Sequence, residues 1–392
     1  GSEDRRLARD ENLSTVGVTG EQEIEAYRAL DSLYEGEQRW DELAVALEHR
    51  IDMGPESHEE LATLKFRLAG VLHKHLGDAA RAVSLYREVL TLMPEHEGAL
   101  AALASLMTDA ALGGEASSIL VDVYESRGDF AQLAAALDVA VQFAEVPSER
   151  VQLMVRAADV RRSKLGDNAG AFATYARAFE AAPEDGEIIL QLEALAREQK
   201  RLPELCSLLE TRARKLSDPA LQKQLLMKSA QLHENDLENV DAAVKAYAIA
   251  LEQDDSDEEV LSALEALYRR TERWPDLLEI LRRRAAASSD PEFQENQLAQ
   301  IAFIYDEMLS ETEAAIRVYS EILELNPQSR IALRALDSLY ERQEKWSDLA
   351  DNVGRQLSLA EDEPTQLSLL LKLGLLRETR MRAPEAAIEI YR

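Results

Sequence analysis

The stretch ALEALYRRTERWPDLLEIL, residues 263–281, places a Trp-Pro pair inside an otherwise continuous helical pattern of Leu, Ala, Glu and Arg. Similar phrases occur at residues 29–47, ALDSLYEGEQRWDELAVAL, and at residues 335–353, ALDSLYERQEKWSDLADNV. Proline is accepted in the first turn of a helix, because its missing N–H would be unpaired there anyway. The recurring interruption therefore predicts a second helix that begins at the tryptophan, after a short turn.

Two series of residues give the period of this repeat. One series holds the position of Trp274 and consists of Trp40, Phe130, Leu202, Trp274 and Trp346. The other consists of Tyr86, Tyr175, Tyr247, Tyr319 and Tyr391. From the second member onward both series advance by 72 residues, which corresponds to two helical hairpins of 36 residues each. We name them tryptophan hairpins and tyrosine hairpins after the residue that marks the second helix.

The composition favours helices throughout. The chain of 392 residues has 16 glycines, 11 prolines and only 5% aromatic residues, and runs of β-branched residues bounded by turns are missing. We therefore expect an all-α fold.

The repeat resembles the tetratricopeptide repeat family over residues 21–392. Leu261, Leu264 and Tyr268 fit the pattern of the family's first helix, whereas its glycine is replaced by Asp31, Glu265 and Asp337, which predicts looser packing in tryptophan hairpins. The tyrosine hairpins instead have small residues on the first helix, thirteen positions before an alanine on the second; these residues are Ala69, Ala158, Ala230, Ala302 and Gly374. The resemblance implies a right-handed α-solenoid with about 20 helices. Similar alternating arrays favour a bacterial source.

The repeat also predicts the organisation of the chain. Residues 1–20 are interpreted as a tag remnant with an N-terminal extension, and residues 21–392 as one solenoid that is irregular at 97–145. Tyr86 and Tyr175 are 89 residues apart, which predicts one extra helix near 97–114 that ends at the Gly113-Gly114 pair. Because solenoids need polar terminal repeats, the chain is expected to come from a longer array.

Charge restricts the classes of partner. The formal net charge is −30, so the average surface repels phosphate and anionic lipid. No apolar stretch approaches the roughly 18 residues that span a bilayer. These features predict an acidic cytoplasmic protein that neither binds nucleic acid nor inserts in a membrane.

The sequence offers no pattern typical of catalysis. The six histidines lack metal-ligand spacing, and the acidic run at 252–259 lacks the glycine and terminal glutamate of a calcium loop. The single cysteine, Cys206, lies among leucines and is expected to be a buried, unreactive thiol. We expect no enzyme activity, no metal and no cofactor.

One pattern suggests a binding face. Two residues before the small residue of the tyrosine hairpins, four of five positions are basic: Arg67, Arg156, Lys228 and Lys372, with Gln300 at the fifth. Arg28 and Arg334 hold a comparable place on tryptophan hairpins, and the apolar residues Phe66, Val155, Met227 and Leu371 immediately precede the series. In one hypothesis this ladder binds an acidic or amphipathic segment of a partner in a concave groove. In the other, each base pairs with a carboxylate of the neighbouring repeat.

The expected function is a non-enzymatic scaffold for protein–protein interaction. Two alternatives belong to other classes: a helical-repeat RNA-binding protein, which the acidic charge disfavours, and a helical enzyme or regulatory domain, which the missing catalytic pattern disfavours.

Overall fold

The computed structural model describes residues 20–252 and 254–392. These residues form 21 α-helices and no β-strand, which confirms the all-α prediction. They belong to two compact units, one reaching Arg201 and the other running from Leu202 to Arg392. The prediction for residues 1–20 lies outside the described residues except at Gly20, where the first helix begins.

The first unit contains ten helices. They are α1 (Gly20–Gly36), α2 (Trp40–Asp52), α3 (His58–Val71), α4 (Ala79–Leu92), α5 (Glu97–Leu106), α6 (Gly113–Arg127), α7 (Phe130–Phe143), α8 (Pro147–Val160), α9 (Asn168–Ala181) and α10 (Gly186–Glu198).

The second unit contains eleven helices. They are α11 (Leu202–Ala213), α12 (Pro219–Asn235), α13 (Val240–Ala250), α14 (Glu258–Arg270), α15 (Trp274–Ala287), α16 (Pro291–Phe303), α17 (Thr312–Leu325), α18 (Arg330–Arg342), α19 (Trp346–Leu359), α20 (Glu363–Thr379) and α21 (Pro384–Tyr391). Helices α3, α8 and α16 each continue into a π-helical turn of 5 residues.

The turn before the tryptophan explains the interruption that the sequence shows. Helix α15 begins at Trp274 with Pro275 in its first turn, as predicted. Two residues earlier, Glu272 has a φ of 55°, a left-handed conformation that stops the preceding helix. Gly128 has a φ of 73° at the same point of the repeat. The chain thus reverses sharply, and the second helix of the hairpin lies back along the first.

The extra helix is confirmed, but its predicted end is wrong. Helix α5 ends at Leu106, and the pair Gly113-Gly114 begins the next helix, α6, instead of stopping α5. A Cβ atom on Gly113 would overlap the ring of Phe143 and lie 2.6 Å from the carbonyl oxygen of Met107. Glycine is therefore required here for the close approach of α6 to α7 and to the preceding turn, and not for a left-handed helix end.

The tyrosine hairpins pack closely through the small residues that the sequence identifies. Ala69 and its partner Ala82 are both 0% exposed, and so are Ala302 and Ala315. In the last hairpin a Cβ on Gly374 would overlap the ring of Tyr391. Small side chains at these positions let the two helices approach each other, which confirms the predicted contact.

A basic or imidazole side chain covers the marker aromatic residue of three tryptophan hairpins. The His75 ring stacks on Trp40 with centroids 3.7 Å apart. Lys164 lies 5.4 Å from the centroid of Phe130, and Arg380 lies 4.8 Å from that of Trp346. The covering residue comes from the end of the following first helix. The aromatic residues therefore pack between successive hairpins, with contacts of the cation–π type from Lys164 and Arg380.

Candidate partner-binding face

Four tryptophan hairpins have a buried or half-buried acidic residue at the same position of the first helix: Asp31, Glu193, Glu265 and Asp337. Asp31 is 2% exposed and accepts a 2.5 Å hydrogen bond from Nη1 of Arg50 on the second helix. Glu265 pairs in the same way with Arg284, and Asp337 accepts a 2.7 Å hydrogen bond from the Asn352 amide. The acid replaces the glycine of the tetratricopeptide pattern and needs room for its partner. These hairpins accordingly pack less closely than the tyrosine hairpins, as the sequence predicts.

The hairpin formed by α6 and α7 lacks this pair. Asp31 and Arg50 are nineteen residues apart, and at the corresponding positions of this hairpin stand Val121, which is 4% exposed, and the half-buried Ala140. Acid and base are therefore replaced together by apolar residues. A buried charge without its partner is strongly unfavourable, so the two side chains function as one unit.

The predicted basic ladder takes part in these pairs. Arg67 donates to Asp31 at 3.4 Å and to Glu35 at 2.9 Å. Lys372 donates to Asp337 at 2.8 Å, and Arg156 donates to Glu125 at 2.6 Å. Each acceptor lies on the first helix of the preceding tryptophan hairpin. This is the pairing that the second hypothesis for the ladder expects, and it aligns first helices of successive hairpins.

The other residues of the predicted basic face differ in their partners and in their exposure. Arg28 donates to Glu60 at 3.1 Å, Lys228 is half-buried with a partner of its own, and Gln300 accepts a 2.8 Å bond from Arg269. Arg334 on α18 is exposed and makes no ion pair with any side chain that the structure describes. Arg334 is thus available to a partner without the loss of an existing ion pair.

The apolar residues next to the ladder are mostly covered. Met227 is 9% exposed, and Phe66 and Val155 are half-buried, whereas Leu371 is 54% exposed. The Phe66 ring lies with its centroid 4.6 Å from that of His96, at the start of the next helix. This position of the repeat therefore faces the following hairpin instead of solvent.

Another position of the first helices, which the sequence analysis missed, does face solvent. Phe303 is 51% exposed on α16, and Leu375, 72 residues later on α20, is 56% exposed. The corresponding residues Asp159 and Gln231 are also exposed but polar. Phe303 and Leu375 could have been identified from the sequence, because they are apolar at a repeat position where Asp159 and Gln231 are polar.

Ion pairs place these helices side by side within the second unit. Arg342 of α18 pairs with Asp306, in the turn after α16. Lys372 of α20 pairs with Asp337 of α18. The first helices α16, α18 and α20 are thus neighbours, and each has an exposed residue: Phe303, Arg334 and Leu375. We call these three residues the first-helix patch.

Burial keeps a tyrosine hydroxyl and the cysteine thiol of the core neutral. Burial raises the pKa of Tyr247 to about 12, with an added contribution from the nearby Glu234 carboxylate. Burial likewise raises the pKa of the Cys206 thiol to about 11. In the part of the chain that the structure describes, no group of three or more His, Cys, Asp or Glu side chains could hold a metal ion, and no helix is long and apolar enough to cross a membrane.

We expect the Cys206 thiol to be nearly inert in the native protein. Its side chain is 1% exposed, and the pKa of about 11 leaves little thiolate at pH 8. Reaction with a colourimetric disulfide reagent should be roughly a hundredfold slower than in the same protein unfolded in urea, because thiolate is the reactive species. Equal rates in the two states would show that the thiol is accessible.

Comparison with known proteins identifies the repeat. The tetratricopeptide repeat family model matches residues 260–295, which include the whole of α14 and α15. The same hairpin recurs at 72-residue intervals in the structure, at α18 and α19. The hairpin at residues 260–295 is a tetratricopeptide repeat. No match was found among curated proteins.

Solved structures of low sequence identity resemble this chain. The TPR domain of P58(IPK) is 16% identical, with 91% of this chain and 98% of that one covered and a TM-score of 0.22. A tetratricopeptide repeat protein from Parabacteroides merdae is 13% identical, with coverages of 67% and 98% and a TM-score of 0.26. A TPR repeat-containing protein from Cytophaga hutchinsonii is 12% identical, with coverages of 64% and 98% and a TM-score of 0.28. At these values the likeness carries no information about partners.

Proposed function

We propose that the protein is a non-enzymatic interaction scaffold that holds a segment of a partner protein on the first-helix patch of its second unit. The fold supports the general role, because tetratricopeptide repeats commonly mediate protein–protein interaction. The observation that carries the specific proposal is that the successive first helices α16, α18 and α20 expose Phe303, Arg334 and Leu375.

The chemistry of the patch defines the partner segment. Exposed apolar side chains at a regular spacing favour a segment with aliphatic or aromatic anchors, and Arg334 favours a carboxylate between them. The ladder bases Arg67, Arg156 and Lys372 already bind carboxylates of the protein itself. The partner is therefore an amphipathic segment with few acidic residues, and its binding depends mainly on apolar contact.

A peptide selection tests this proposal. A random peptide library displayed on phage is selected against the wild-type protein, and the variant Phe303→Ser/Arg334→Ser/Leu375→Ser serves for counter-selection. Enriched peptides should combine apolar anchors with one or two acids and should bind the triple variant at least tenfold more weakly, which is about 1.4 kcal/mol.

The control for this selection uses an equally exposed residue elsewhere in the same unit. Leu325, at the end of α17, is 57% exposed and lies on a second helix, so Leu325→Ser should leave peptide affinity unchanged. Peptides that bind the triple variant as tightly as the wild type would assign the interaction to another surface.

A further inference from the structure

A cavity of about 340 Å³ lies between helices α13, α14 and α15 of the second unit and opens to solvent. Its apolar wall includes Val244 of α13, Leu251 in the turn that follows, and Ile280 of α15. The volume falls within the range of about 300–1,000 Å³ that is typical of sites for small ligands. The cavity is separate from the first-helix patch, because none of the three patch residues lines it. We call it the α13–α15 cavity.

Other tyrosine hairpins bury the side chain that is open to this cavity. Val244 is half-buried. At the same repeat position Val83, Phe172 and Ile316 are 0%, 2% and 7% exposed. One period before Leu251 stands Phe179, which is fully buried. The smaller side chains at positions 244 and 251 therefore leave space that two phenylalanines occupy in the first unit.

The rim of the cavity has more acidic than basic side chains. Glu252 follows α13, and Asp276 and Glu279 lie on α15; all three are exposed. Arg283 also lines the cavity, but it pairs with Glu279 at 2.6 Å. Asp276 has only Arg273 at 3.9 Å, and Glu252 makes no ion pair with any side chain in the described part of the chain. One positive group between Glu252 and Asp276 would therefore complement the rim.

We propose that the α13–α15 cavity binds a lysine side chain of a partner protein. The four-carbon stem of the lysine packs on Val244, Leu251 and Ile280, and its ammonium group stays at the rim beside Glu252 and Asp276. A compact ammonium suits two carboxylates on different elements, whereas a planar guanidinium is matched to one carboxylate that binds it at two points. This contact is independent of the segment proposed for the first-helix patch.

A titration with n-butylammonium chloride tests the proposal, because this ion has the atoms of a lysine side chain. The methyl signals of Leu251 and Ile280 are followed by NMR at constant ionic strength. They should shift in a saturable manner, with a dissociation constant at least fivefold lower than that for n-butanol, for ammonium chloride or for the arginine analogue n-propylguanidinium. No saturable shift, or equal binding of n-butanol, would overturn the proposal, and so would tighter binding of n-propylguanidinium.

Two variants show whether the probe occupies the cavity. Val244→Phe introduces the residue found at position 172 and should abolish the shift, because the ring fills the space for the stem. Glu252→Gln should raise the dissociation constant at least threefold without loss of helicity, since Glu252 is exposed. The control is Glu324→Gln, at an exposed residue one period later, which should bind n-butylammonium like the wild type. Binding that survives Val244→Phe, or that Glu252→Gln and Glu324→Gln weaken equally, would disprove a site in this cavity.

Discussion

Arg50→Ala should destabilise the first two helices by about 3–5 kcal/mol, because it leaves the carboxylate of Asp31 buried without its nearest cation. The Arg50 side chain is 8% exposed and that of Asp31 is 3% exposed, so water replaces the lost charge poorly. Arg67 remains 3.4 Å from Asp31, but it also serves Glu35. The free energy of local unfolding is best measured by amide hydrogen exchange in α1 and α2, since long repeat arrays do not unfold as one cooperative unit.

The protein itself supplies the control for this prediction. Asp31→Val with Arg50→Ala copies Val121 and Ala140, which hold the same positions in the hairpin formed by α6 and α7. Removal of both charges leaves no buried ion, so the double variant should regain most of the stability that Arg50→Ala loses. A double variant that is as unstable as the single one would show that the Arg50 side chain stabilises the hairpin through packing and not through its charge.

The regular part of the fold could be predicted from the sequence because equivalent residues recur at the same positions of several hairpins. Trp274 and Pro275 mark a helix start, and Ala69 with Ala82 marks a close contact. Each has equivalent residues elsewhere in the chain, 72 residues from Trp274 and 89 residues from Ala69 and Ala82. The end of the extra helix was mispredicted because Gly113 belongs to a segment without counterparts. Glycine is required there because of contacts with the Phe143 ring and the Met107 carbonyl oxygen. Phe143 is 30 residues away in the sequence, and a backbone carbonyl leaves no mark in the residue type.

The candidate site was harder to predict because periodicity shows that recurring side chains point in similar directions, but it does not show which residues they contact. The ladder bases do recur in one register, but each of Arg67, Arg156 and Lys372 finds a carboxylate 31 to 36 residues earlier in the chain. In this acidic protein the three bases form ion pairs between successive hairpins and are not free charges. Phe303 and Leu375 escaped notice because an apolar residue in a helix suggests a core position unless the exposure of its repeat position is known.

Gly113→Ala should destabilise the irregular segment by about 1–3 kcal/mol, although alanine is the better helix former. Its Cβ would overlap the Phe143 ring and lie 2.6 Å from the Met107 carbonyl oxygen. The ring can rotate away at some loss of packing, but the carbonyl belongs to the backbone, so the turn at residues 107–112 must move. The effect should appear as faster amide exchange in α6 and α7 and a lower midpoint of thermal unfolding.

Gly186→Ala is the matched control, because Gly186 also begins a helix, α10, and a Cβ there would meet nothing within 4 Å. Without a steric penalty, the lower conformational entropy of the unfolded alanine variant should leave its stability unchanged or raise it by about 0.4–1 kcal/mol. The two substitutions are chemically identical, so the difference between them isolates the contact of Gly113 with Phe143 and Met107. Equal melting of the two variants would mean that α6 can shift away from α7 freely, and that the glycine pair has no role in positioning the helix after the insertion.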